Sequence, residues 1–196
     1  MHNVKMRKGR INPAIEKNKK ERQQLADNIG KHMQFIIPYV LYEYMGFGWK
    51  KLDNCMTKIY ELRIEWQKDP TNATTVKMLN YCEVKKIDAY GFVKRLPQSD
   101  KMFLSDIKKG CYNAMNSIDS ALLHCLLMTI PVLKESYRMS NKTIETFFEK
   151  IAYIIHMYTE KMPCEPCHVF SDRYIRDIFL EEQNFDMYKG EYVKWW

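Results

Sequence analysis

The sequence predicts an all-α fold, a helical bundle of five to seven helices around a central buried helix. Three observations carry this. Apolar residues recur in steps of three and four through most of the chain, the period of a helix face. One such run continues as a heptad seam and then turns apolar all round, which requires burial on several sides. Strand signals are scarce, and at most a short extended piece fits around Phe92-Val93. At 196 residues the chain is long enough to bury a core without disulfides or metals.

The first helix is expected to carry Leu25, Ile29, Met33, Ile36 and Val40 on one face. Pro38 falls inside it and should kink it, and Gly46-Phe47-Gly48 ends it. A second helix presents Leu52, Met56, Ile59, Leu62 and Trp66 until Asp69-Pro70-Thr71-Asn72. Thr74 or Thr75 can cap a third, with Val76, Leu79 and Tyr90 as its apolar positions, until Gly91 and Pro97. The central helix is expected to run from Leu104 to Met128. Its seam is Leu104, Ile107, Cys111, Ala114, Ile118, Ala121, Cys125 and Met128, and small members allow close helix approach. Pro131 bends or ends it. Ser140 is the expected N-cap of a helix carrying Ile144, Phe147, Phe148, Ile151, Ile155 and Tyr158. Pro163 and Pro166 break that helix, and Ser171 caps a last one with Ile175, Ile178 and Phe179.

Three segments follow: a basic arm over 1–24, a helical domain over 25–183, and an aromatic tail over 184–196. A weak internal echo divides the domain into halves 25–96 and 99–183. Ile37-Pro38 recurs as Ile130-Pro131, and Leu52, Met56 and Lys58-Ile59 recur as Ile144, Phe148 and Lys150-Ile151. Two similar helical hairpin units are one reading of it. Chance similarity between apolar helices is the other.

The formal charge of +7 is concentrated at one end. Residues 1–24 hold Lys5, Arg7, Lys8, Arg10, Lys17, Lys19, Lys20 and Arg22 against Glu16 and Glu21, a net +6. The rest of the chain carries +1. Such an arm can track phosphates with salt-dependent affinity; the plainer reading is a solubilising tail. It lacks the apolar face that membrane insertion needs. The first residues do not read as a signal peptide. The longest apolar stretch, Ala121–Leu133, is too short to span a bilayer. Six cysteines in this context read as reduced thiols in a cytoplasm.

Chemistry is sparse. A Walker loop, a nucleophile elbow and a paired-His motif are all missing, and the five histidines are scattered. No enzyme, no cofactor and no small-molecule substrate are expected. Cys164-Glu165-Pro166-Cys167-His168 matches haem attachment on spacing, but the compartment argues against it. Cys164, Cys167 and His168 could ligate zinc with His156 or another Cys; the preferred reading is two thiols in a proline-rich connector, with no metal. Tyr192, Trp195 and Trp196 are either a clamp over the core or an exposed aromatic hook, of the kind enriched at interface hot spots.

The most specific local feature is Met45-Gly46-Phe47-Gly48-Trp49-Lys50-Lys51-Leu52. It resembles the helix–hairpin–helix motif, which implies a tight turn exposing backbone N–H groups to a DNA phosphate. Gly46, Phe47 and Gly48 would form the turn, and Lys50 and Lys51 would add charge. Leu52 and Trp49 depart from that family, which prefers a small residue and a proline there. A glycine C-cap with Phe47 as a plug is the structural alternative. The longer run Tyr39–Leu52 resembles small helical proteins of phages and prophages of low-GC Gram-positive bacteria. That resemblance implies an accessory or anti-defence role in a bacterial cytoplasm, anti-CRISPRs included. The expected partner is a host nucleoprotein effector, with DNA or RNA phosphates bound directly as the alternative. A virion assembly protein is a third reading, and oligomeric state is left open.

Overall fold

The computed structural model describes residues 13–68, 73–105, 115–161, 185–186 and 191–192. The described part is all-α apart from one two-residue antiparallel pair. Its elements are α1 (Pro13–Glu43), α2 (Trp49–Gln67), α3 (Ala73–Val84), α4 (Ala89–Arg95), α5 (Gln98–Leu104), α6 (Met115–Pro131) and α7 (Asn141–Lys161). A π-helical turn, Val132–Ser136, follows α6. Strand β1 (Phe185–Asp186) pairs with β2 (Glu191–Tyr192).

Helix α6 is the central element and touches α1, α2, α3, α4 and α5. It buries Ile118, Ala121, Leu122 and the run Leu126–Ile130, so more than one face meets a neighbour. By length and composition Met115–Ser136 is apolar enough to cross a membrane, yet most of it is buried in the bundle, as in a core helix. Helix α1 contributes Ile29, Ile36, Val40 and Leu41 to the core and continues past Pro38 to Glu43. Helix α7 adds Ile144, Phe147, Ile151 and Ile155, and Phe148 stacks on Phe92 at 4.6 Å.

Three expectations are corrected. The central helix does not begin at Leu104. That residue closes α5, where Ser105 caps the end by donating its hydroxyl to the Met102 carbonyl at 2.8 Å. Ile107, Cys111 and Ala114 lie outside the described residues, and the described part of α6 is Met115–Pro131. A heptad pattern carries no information about such a stop.

The third helix does not reach Gly91. It ends at Val84, and the chain turns through Lys86 at φ 58°. Asp88 then starts α4, accepting a hydrogen bond from the Gly91 N–H at 2.7 Å. Any Cβ at Gly91 would collide with that carboxylate. Met78 and Cys82 form the buried side of α3, while Val76, Leu79 and Tyr90 are exposed. Finally, Phe92 and Val93 are helical, within α4, because the Asp88 cap overrides their strand propensity. The helix expected after Ser171 (Ile175, Ile178, Phe179) lies outside the described residues.

The two proline-containing hairpins share a turn geometry. After α1, Gly46 is left-handed at φ 66°, and the Phe47 N–H reaches back to the Leu41 carbonyl at 3.0 Å. After the π-turn, Arg138 is left-handed at φ 52°, and the Met139 N–H reaches back to Leu133 at 3.1 Å. The next helices open alike, with Leu52 bonded to Gly48 and Ile144 to Ser140. The caps differ. Ser140 accepts a hydrogen bond from the Thr143 N–H at 3.1 Å, whereas Gly48 supplies no side chain.

Candidate functional site

The α1–α2 turn is built by Gly46, the residue here whose backbone angle favours glycine. Phe47 then swings inward and is 1% exposed, as in the plug reading. Its ring lies 4.9 Å from that of Tyr137, which joins the first hairpin to the π-turn. Removing this plug by Phe47→Ala should cost about 3–5 kcal/mol, as deletion of a buried aromatic does. Urea unfolding measures it. Phe47 is therefore a structural residue of the turn and does not face a partner.

Gly48 is exposed, at φ −68°, with open space where a Cβ would go. Neither strain nor crowding requires glycine there. It opens α2 with no side-chain cap; the Lys51 N–H bonds back to the Gly48 carbonyl at 3.0 Å, and the N–H groups before it have no acceptor within the helix. Lys50 and Lys51 are exposed on this first turn. The Lys51 ammonium lies 3.9 Å from the Phe47 ring centroid and 5.5 Å from that of Tyr137. Lys58 reaches the same tyrosine at 5.9 Å and donates to the Ser136 hydroxyl at 3.1 Å. The Tyr137 hydroxyl donates to the Lys51 carbonyl at 3.1 Å. Two lysines thus converge on one ring, with exposed Arg138 next along the chain. Aromatic faces hold the cations in place.

Beneath them sits Cys55. Burial pushes its thiol up to about 12, outweighing Lys58, the Tyr137 hydroxyl and Lys51, which pull it down. Burial also pushes Cys82 up to about 11. Nucleophilic chemistry needs the thiolate, so Cys55 is a core residue. The arrangement can hold an anion; it has no poised nucleophile.

A second polar assembly joins residues that no local pattern in the sequence links. Asp119, on α6, pairs with Lys101 of α5 at 2.8 Å and Lys94 of α4 at 2.7 Å. Asp100 accepts from Ser99 at 3.1 Å and lies 3.4 Å from His156 of α7. Asp100, Lys101 and Asp119 are buried. Burial raises the Asp119 pKa, but hydrogen bonds from Lys101 and Lys94 outweigh it and hold the carboxyl below its ordinary value. One signal was available: an aspartate beside Ile118 on the most apolar helix. The assembly ties α4, α5 and α6 together.

Lys20 is exposed on α1. Lys17 falls within α1, with its side chain outside the described set. Lys5, Arg7, Lys8, Arg10, Trp195, Trp196, Cys164, Cys167 and His168 lie outside the described residues. The His124 ring lies 4.8 Å from that of Trp66, tilted by 44°, and burial lowers its pKa.

No protein-family model, curated protein or solved structure matches the chain. The two resemblances therefore stand on the residues quoted for them.

Proposed function

We propose that this chain is a non-enzymatic, phage-type binding protein. It docks on a host nucleic-acid machine in the bacterial cytoplasm and inhibits or modulates it by occupancy. An RNA-guided nuclease, as for an anti-CRISPR, is one such machine. Its grip is on phosphates, through the α1–α2 turn and the basic arm. The observation that carries this reading is the uncapped start of α2, where Lys51 and Lys58 gather around Tyr137 and exposed Lys50 stands on the same first turn as Lys51. Occlusion of a nucleic-acid channel needs no catalytic residue. The Tyr137 ring is occupied by Phe47 and the lysines, so the grip runs through phosphates and not through base stacking.

Anisotropy with a DNA or RNA duplex, titrated against salt, tests the grip. Each phosphate left without its cation reduces the salt slope by about 1, so Lys50→Glu/Lys51→Glu should flatten it by about 2. Deleting residues 1–12 should remove a further share. Binding to naked duplex would favour a sequence-tolerant DNA-binding accessory. Recovery of a nucleoprotein from nuclease-treated host lysate would favour the inhibitor. Failure of both at about 50–100 mM salt, where phosphate pairing is strong, overturns the reading.

A further inference from the structure

Helix α3 turns an apolar row to solvent. Its core side is Met78 and Cys82. On the opposite side Val76, Asn80 and Val84 step by four and line up along the helix. Val76 is 54% exposed and Val84 78%. An outward helix line ordinarily carries charge or strong helix formers. Valine is neither, because it loses rotamer freedom against the preceding turn. Exposed Lys77 borders the row on one edge and exposed Glu83 on the other. On the Glu83 side, Leu79, Lys86 and Tyr90 edge a shallow cavity of about 480 Å³, which widens the apolar surface.

We propose that α3 is a homodimer surface, with the Val76–Asn80–Val84 row packing in parallel against the same row of a second copy. Charge decides both partner and direction. A two-fold axis along the helices brings opposite edges together, so Lys77 of each copy shares an edge with Glu83 of the other, about 9 Å further along the axis and within reach of two long side chains. An antiparallel pair would bring like edges together, lysine against lysine. In the parallel pair Asn80 meets Asn80 of the second copy between two valine layers. A single asparagine at such a seam specifies register and oligomer state at a cost in stability. The twelve-residue helix is only about 18 Å long. The area it can bury falls below the ~800 Å² per partner of a standard interface. The dimer is therefore weak and concentration-dependent.

Sedimentation of the full chain over roughly a hundredfold concentration range tests this. The average mass should rise from 23.6 kDa toward twice that value. Val84→Glu sits at an exposed position, so circular dichroism should be unchanged while dimerisation weakens at least roughly tenfold. Lys77→Glu should weaken it similarly, by setting glutamate against Glu83 of the second copy. Lys77→Glu/Glu83→Lys should restore it to within about threefold. A chain that stays monomeric overturns the proposal. So does a dimer that Val84→Glu or Lys77→Glu leaves unchanged, or one that Lys77→Glu tightens.

Discussion

Asp119→Ala should destabilise the fold by about 3–5 kcal/mol, the cost of leaving a buried charge without its partner. The stranded group is Lys101, whose side chain is only 5% exposed and lies 2.8 Å from Asp119. Lys94 matters less, because its side chain is 43% exposed and water can replace the carboxylate. The reciprocal experiment isolates the cause. Asp119→Leu/Lys101→Met removes both buried charges and should recover most of the stability, since apolar replacement of a whole buried pair is often neutral or better. Urea midpoints of the wild type, single and double variants measure this. If the single and double variants are equally destabilised, cavity and packing effects dominate instead.

The same carboxylate makes an acid prediction. Its folded pKa is lowered, so the unfolded chain takes up its proton first as pH falls. The stability it contributes is complete above about pH 4 and is lost as pH drops through the folded value. Asp119→Leu/Lys101→Met should therefore lose less stability than the wild type between neutral pH and the acid limb. A parallel loss in both proteins would show that other carboxylates govern that limb.

Gly48→Asp should separate stability from binding, with opposite signs. Aspartate is a favoured N-cap, and its charge complements the helix dipole. The gain is a few tenths to about 1 kcal/mol. The position has the room and an ordinary φ for it. The same carboxylate occupies and repels from the place where a phosphate would sit. Polyanion binding should fall at least roughly tenfold, a difference of about 1.4 kcal/mol. Gly48→Ser is a gentler version, copying the Ser140 cap of the second hairpin. Thermal unfolding beside duplex anisotropy measures both arms. If Gly48→Asp stabilises the chain and leaves binding untouched, the α2 start is only a helix junction.

Much of the helical architecture is legible in the sequence because burial enforces periodicity. Ile29, Ile36 and Val40 are buried on α1, Ile144, Phe147 and Ile151 on α7, as their spacing requires. Periodicity misleads where one side chain sets a boundary. Ser105 ends α5 within an unbroken heptad pattern, and Asp88 restarts the chain as α4. On α3 it points to the wrong face. Val76 and Leu79 keep helical spacing, but Met78 and Cys82 are the residues that find the core. Spacing alone cannot rank two short apolar faces.

The candidate site shows the same division. Gly46, Gly48, Lys50 and Lys51 stand out in the chain because glycine–apolar–glycine before paired lysines is a local pattern. Their neighbours Lys58, Ser136 and Tyr137 do not, since Tyr137 lies 86 positions from Lys51. The Asp119–Lys101–Lys94 assembly is likewise non-local, drawn from three helices. What the sequence by itself determined is the helical class, most helix-bearing segments and the glycine turn, all set by short-range periodicity and backbone preference. Only the tertiary structure decided which face of α3 is covered, that Phe47 is a plug, and which charges share the interior. Those outcomes depend on what each side chain meets across the bundle, and burial and Coulomb energy act through space, not along the chain.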